Sequence, residues 1–337
     1  MLLSLHPRRM TEEIVRQTCL LASSLGIDRN QLLLSSLCQM LVNCLNVQAA
    51  PANLTTILNE FIPSIPDILC NGSTTADVKM HLFALLFRTS IFEEKLVPWL
   101  FQDNDSIIVA VHSLESSSEG LVGEAALFLT RLLKVEMNHS SKVLQLVLQE
   151  APTIWNLFLF LAERILEDIV ARHVLIFIHS VLEAAWNAEL MILLQLDSEK
   201  VENFFNWLFG NLPTKVESSL RHSAIQVLGM ILVSCPSLTP ESIKLTSDFV
   251  VKELQLSTTS RCSDSSVMFL VQLAHNFVIR HRDAERQLLQ RGIFPPLIDL
   301  WKNRSSRDSN ASLLLSMIKF EVIYSNLFLN YSIRANS

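Results

Sequence analysis

The sequence predicts an all-α fold, a solenoid of stacked helices, and three observations predict it. Apolar residues recur at three- and four-residue spacing in segments of roughly 10–20 residues, the signature of amphipathic helices, while strand-like alternation is nearly absent. Half of the 337 residues are hydrophobic, yet only 7 are Gly, 11 Pro and 2 Tyr, a composition poor in turns and strands. The gaps between segments are short, polar or proline-bearing, and none has the character of a domain linker, so residues 1–337 read as one helical array.

Taken in order, this periodicity gives helices at Glu12 to Leu25, followed by Gly26, then at Asn30 to Leu45 and Asn53 to Phe61. Beyond Gly72 come Asp77 to Arg88, Ile107 to Ser113, Leu121 to Val135, Ser141 to Leu148, Ile154 to Ile165 and Ala171 to Ala185. The second half continues with Val201 to Phe209, followed by Gly210, then Lys215 to Ser234, Glu241 to Leu256, Asp264 to Arg280 and Ala284 to Gln290. Past Gly292 lie Pro296 to Lys302 and Ala311 to Tyr331. Gly26, Gly72, Gly210 and Gly292 stand where a left-handed residue ends a helix. Gly229 sits inside a pattern instead, where it permits close packing at about 1 kcal/mol relative to Ala.

Two stretches carry most of the repeat signal. In Leu114 to Leu133 a polar turn gives way to a helix with an apolar stripe of Leu121, Ala125, Phe128, Leu129 and Leu132, bordered by Val122. In Arg291 to Trp301, Gly292 ends one helix, Pro295 and Pro296 open the next where a missing N–H costs little, and Leu297, Ile298 and Leu300 form its apolar face. Val216 to Leu232 repeats the alanine-centred stripe with Leu220, Ala224, Val227, Leu228 and Ile231, leaving Glu217, Arg221 and Gln226 off it.

These stretches resemble the last helix and the G-x-x-P-x-L-x-x-L junction of armadillo repeats, and most of the chain is similar to the armadillo/HEAT superfamily in pattern. The resemblance implies a right-handed superhelical solenoid. A unit of ~40–47 residues cannot bury its apolar surface alone, and the length divides into about seven or eight such repeats. Leu96 to Asp103, Leu114 to Leu133 and Ala224 to Glu241 also resemble the HEAT-repeat ATM-activator family, which implies a role in nuclear signalling or genome maintenance and carries no catalytic residue with it.

A formal charge of −6 disfavours a chain whose main task is neutralising nucleic-acid phosphate. The six cysteines, at 19, 38, 44, 70, 235 and 262, form no CxxC pair and read as buried reduced thiols of a cytoplasmic or nuclear protein. The N-terminal MLLSLHPRRMTEE lacks the apolar core of a signal peptide, so triplets such as Asn53-Leu54-Thr55 carry no information about glycosylation.

Catalytic chemistry is sought in vain. His173 and His179, like His275 and His281, lie six apart, about 240° around a helix, and diverge instead of chelating. Glu163, Glu167 and Asp168 read as a solvated helix face, and Cys38 with Cys44 as core thiols. No hydrolase, zinc-protease, P-loop or dinucleotide fingerprint is present. The expectation is therefore no enzyme, no cofactor and no metal.

The charged concentration that suits binding is Arg280, Arg282, Arg286, Arg291, Lys302, Arg304 and Arg307, with His281 among them and Asp283, Glu285 and Asp308 in partial compensation. Arginines pair bidentately with carboxylates and phosphates, so an acidic or phosphorylated partner segment fits there. From Ala311 to Tyr331 only Lys319 and Glu321 are charged. These two central charges, at roughly +2.5 to +3.5 kcal/mol each, disfavour a membrane span, and the uncapped end suggests docking on a partner or a fragment or isoform of a longer array. The expected function is a protein-interaction scaffold. A nucleic-acid-binding solenoid is the alternative, marked by a basic stripe along successive repeats.

Overall fold

The computed structural model describes residues 11–25, 30–46, 51–92, 104–136, 142–149, 168–189, 198–211, 218–235, 238–259 and 264–304. Every regular element among the described residues is helical. The helices gather into two compact units, Met1–Leu194 and Gln195–Ser337. The helices read at Ile154 to Ile165 and Ala311 to Tyr331 lie outside the described residues.

The first unit contains α1 (Glu12–Ser24), α2 (Gln31–Asn46), α3 (Pro51–Glu60), a 3-10 turn (Ile62–Ser64), α4 (Ile65–Cys70), α5 (Ala76–Phe92), α6 (Asn104–Ser113), α7 (Glu119–Glu136), α8 (Lys142–Gln149) and α9 (Asp168–Asn187). Side chains close the open N-termini: Thr11 Oγ1 accepts from Ile14 N–H at 3.4 Å, and Asn30 Oδ1 from Leu33 N–H at 3.1 Å. The sequence reading stopped at Phe61, but the chain turns and coils again as α4. Pro63 and Pro66 occupy the first turns of these two pieces, where no N–H is needed, so they start helices instead of breaking them.

The long helices α2, α5, α7 and α9 form one row, each packed on the next, while α3, α4, α6 and α8 build the layer behind them. All four are copies of one pattern. Counted from each helix start, residues seven, eight, eleven, fourteen and fifteen are buried in every copy, for instance Ala125, Ala126, Leu129, Leu132 and Leu133 of α7. The row's core includes the stacked rings of Phe83 and Phe128, with centroids 5.5 Å apart. Where α7 meets α5, a Cβ on Gly120 would lie 2.6 Å from Met80 Sδ, so this glycine is the close-approach position. The helix α9 is long and apolar enough to cross a membrane, yet it packs on α7 with Val174, Phe177, Ile178 and Val181 buried.

The second unit contains α10 (Ser198–Asn211), α11 (Ser218–Ser234), α12 (Pro240–Thr259), α13 (Asp264–Arg280), α14 (Arg282–Gln290) and α15 (Phe294–Arg304). Here α11 and α13 form the row, and α12 gathers α10, α14 and α15 in the layer behind. The core register persists: Ala224, Ile225, Leu228, Ile231 and Leu232 of α11 take the same positions as their α7 counterparts and are buried.

The Gly292 junction forms as expected. Gly292 has φ +74°, its N–H donates to Leu289 O at 3.1 Å, and Ile293 N–H donates to Leu288 O at 3.2 Å, the two bonds of a Schellman motif. The helix after it starts at Phe294, placing Pro295 and Pro296 in its first turn. Three other glycine expectations need correction. Gly210 lies inside α10, Gly72 turns the chain without positive φ, and a Cβ on Gly229 would meet Leu273 Cδ1 at 4.0 Å, an ordinary contact.

Candidate partner-binding surfaces

The arginine cluster expected near the C-terminal end comes together only in part. Arg280 ends α13 and Arg286 lies on α14, both exposed. Arg291 is engaged inside the fold instead: its guanidinium reaches Asp248 of α12, with Nη2 at 3.4 Å from Oδ2, and also bonds Gln287. It therefore fastens α14 to α12. His281 is buried and holds Leu232 O with Nε2 at 3.1 Å, tying the start of α14 to α11. Burial pushes its pKa down, with the Leu232 carbonyl opposing and Arg280 adding to the shift. Arg282, Lys302 and Arg304 are placed by backbone position only, in α14 and the last turn of α15, and Arg307 lies outside the described residues.

A second surface arises from the register of the first unit's row. The sixth residues of α2, α5, α7 and α9 are Ser36, His81, Glu124 and His173, and the thirteenth are Asn43, Arg88, Arg131 and Ser180. Each of the six from Asn43, His81, Arg88, Glu124, Arg131 and His173 keeps part of its surface in solvent. Arg88 Nη1 donates to Ala84 O at 3.1 Å and stands 3.6 Å from Glu124 Oε2 on the next helix. Arg131 Nη2 crosses back to Ser90 O at 2.9 Å. Arg172 is half-buried, and its Nε is shielded from solvent without a hydrogen-bond partner.

The electrostatics of this row follow from burial and from these arginines. Glu124 is raised above the usual carboxylate range by burial, with Arg88 pulling it back. His173, packed beside Gly123 of α7, is pushed down to about 4 by burial, then by Arg172 and Arg88. His81 is lowered by burial, and Arg88 outvotes no one alone: Asp77 opposes it. Leu127 and Ile176, both ninth residues, supply half-exposed apolar surface between the charged positions.

The corresponding surface of α11 and α13 carries no charge at these positions. It presents His222, Gln226 and Met230 from α11 and Met268, Phe269, Gln272, Asn276 and Ile279 from α13. Phe269 is 43% and Ile279 59% exposed. The His222 ring meets Phe269 edge-on at 5.1 Å, and Gln272 Nε2 donates to Asn276 Oδ1 at 3.0 Å. Arg221, off the apolar stripe of α11 as expected, is 18% exposed and pairs at 3.4 Å with Glu253 of α12, which is 8% exposed. An arginine stem long enough to cross between layers is hidden by the layer it reaches.

Among the described residues no three His, Cys, Asp or Glu side chains converge as a metal site. Cys19, Cys38, Cys44 and Cys235 are buried, and burial pushes Cys19 and Cys38 up to about 12, far from a reactive thiolate. Cys70 is exposed, contrary to expectation, and Cys262 lies outside the described residues.

No protein-family model matches the sequence, and no curated protein does. Solved structures do. One designed armadillo repeat protein superposes with a TM-score of 0.51 at 13% identity, covering 76% of this chain and 96% of its own. An engineered protein gives 0.52 at 13% identity over 78% and 98%. A designed armadillo repeat protein in complex with the peptide (KR)4 gives 0.50 at 14% identity over 76% and 96%. At these identities the likeness establishes the fold: an all-α, armadillo-like helical repeat. The resemblance to the ATM-activator family gains no support from these structures.

Proposed function

With the armadillo-like repeat as its fold, we propose that this chain is a non-catalytic protein-interaction scaffold that holds an extended segment of a partner along its rows of long helices. The observation that carries this reading is the repeated register of the first unit's row. Four successive helices of the row bury the same positions and leave the sixth residue of each, Ser36, His81, Glu124 and His173, partly exposed, so a partner chain meets an equivalent position helix after helix. Peptide binding by a similar designed fold supports the same use.

The test is site-specific photo-crosslinking. A crosslinker at Leu127 or Gln272, on the two rows, captures a partner polypeptide, whereas one at Gln149 of α8, in the layer behind, does not. Capture of nucleic acid in its place, or equal capture from Gln149, defeats the reading.

Three finer elements belong to the same proposal. The exposed Arg280 and Arg286 supply a second contact for an acidic or phosphorylated segment, which charge reversal at both should abolish. The segment from Ala311 to Tyr331 docks on the partner, so removing residues 311–337 reduces capture, and unchanged capture counts against it. The ATM-activator resemblance supports a partner in nuclear signalling or genome maintenance, and a chain excluded from the nucleus in cells refutes that placement.

A further inference from the structure

We propose that the groove between α11 and α13 is an apolar anchor site, in which one bulky aliphatic side chain of an extended, locally uncharged partner segment seats over Gly229 beside Phe269. This rests on the scaffold reading and specifies what the second unit selects. The register of the rows reveals the space. Counted from each helix start, the twelfth residue is Val42, Phe87, Thr130, His179 and His275 in α2, α5, α7, α9 and α13, but Gly229 in α11. Gly229 is half-buried, and among the described residues a Cβ there would meet only Leu273 Cδ1, at 4.0 Å. Glycine is unfavourable inside a helix unless close packing demands it, and no neighbour is near enough to demand it here. What it leaves is an open notch between two helices.

The walls of the notch follow from helical spacing. On α11, His222, Gln226 and Val233 lie seven and three residues before Gly229 and four after it, on its side of the helix, each partly exposed. On α13, Phe269 and Asn276 lie four residues before and three after the buried Leu273, which forms the floor with Gly229. The exposed Phe269 ring is braced edge-on by His222, with centroids 5.1 Å apart, so this aromatic wall is in place before a partner arrives.

Charge decides the occupant. Residues 222–234 and 267–279 contain no Asp, Glu, Lys or Arg. Burial also lowers the His222 pKa, which keeps that ring neutral at pH 7. Arg221 is drawn to Glu253 in the layer behind, and Arg280, the last residue of α13, lies seven residues beyond Leu273. A charged partner side chain entering the notch would lose water and find no counter-ion, whereas an aliphatic one is stabilised by the same burial.

The experiment uses the full chain and short labelled peptides on a Ser–Ala frame that differ only in the central residue: Leu, Ala, Lys or Glu. Fluorescence polarisation reads affinity. The Leu peptide binds about tenfold more tightly than the Ala peptide, the ratio expected from burying its additional carbons, and the Lys and Glu peptides bind no better than Ala. Gly229→Leu fills the notch and brings the Leu peptide down to the affinity of the Ala peptide. Gly229→Ala fills it in part and weakens the Leu peptide without lowering the melting temperature, which separates lost binding from lost folding. Gln149→Ala, in the layer behind, leaves binding unchanged.

Equal affinity for the Leu and Ala peptides, preference for the Lys or Glu peptide, or full binding by Gly229→Leu overturns the proposal. So does a concentration-dependent dimer that Gly229→Leu abolishes, which gives the groove to a second copy, or Leu-peptide binding that appears only after removal of residues 311–337, which gives it to the chain's own end. Crosslinked capture of a polypeptide from Leu127 that survives those results keeps the scaffold reading and discards only the apolar anchor.

Discussion

The rows of the two units repeat one buried register and differ on their faces. Buried positions recur from α2 through α13 with apolar or small residues, because each must fill the space between neighbouring helices. The solvent-facing positions obey no such constraint. In α5, α7 and α9 they include Arg, Glu and His; in α11 and α13 they carry His222 with Gln, Asn, Met, Phe and Ile. Among the described residues each unit shows a half-hidden Arg–Glu pair, and its location follows the same division. Arg88–Glu124 joins two helices of the row, whereas Arg221–Glu253 joins the row to the layer behind. The pair stays on the row in the first unit and serves as a fastening between layers in the second.

The largest expected effect tests that fastening. Arg221→Gln leaves Glu253 buried without its cation and should cost about 3–5 kcal/mol, the range for breaking a buried pair. Arg88→Gln should cost about 1 kcal/mol or less, because its pair is more exposed, at 24% and 19%, and longer. Urea unfolding measures both. Replacing Arg221 by Met together with Glu253→Leu should recover most of the loss, since two apolar side chains leave no orphan charge. Equal losses for the two single variants would erase the distinction between a displayed pair and a fastening pair.

A smaller effect comes from pH. His173 has a folded pKa near 4 against 6.5 when unfolded, a depressed value. Its neutral form therefore stabilises the fold fully above about 6.5, and that contribution is lost as pH falls through 4. The full shift corresponds to about 3 kcal/mol at most. Thermal unfolding between pH 7 and pH 4 should show a steeper loss for the native chain than for His173→Gln. Parallel curves would mean that burial in the row does not hold His173 below its unfolded pKa.

The elements were legible because helical periodicity is a local signal. The periodicity nevertheless ends at Phe61 and does not show the short α4, whose entry depends on Pro63 and Pro66 falling in first turns. The surfaces were far less legible. Arg291 looked like one of a run of cations, yet Asp248, which engages it, lies 43 residues away in sequence. The converse holds for Arg88 and Arg131, which no window groups and which align only once helix starts are known. Sequence proximity overstated one cluster and concealed the other, because a repeat places neighbours one period apart.

The smallest effects concern two glycines of the rows, and they should differ in size. In α7 a methyl at Gly120 would displace the flexible end of the Met80 side chain, a shift that offsets most of the gain in helix propensity, so Gly120→Ala should change stability by less than about 0.5 kcal/mol. In α11 a methyl at Gly229 has room, 4.0 Å from Leu273, so Gly229→Ala should gain about 0.5–1 kcal/mol from backbone entropy alone. Melting temperatures of the two variants decide it. A loss at Gly229 would show that α11 and α13 pack as tightly as α5 and α7, and the contrast between the rows would then be confined to their faces.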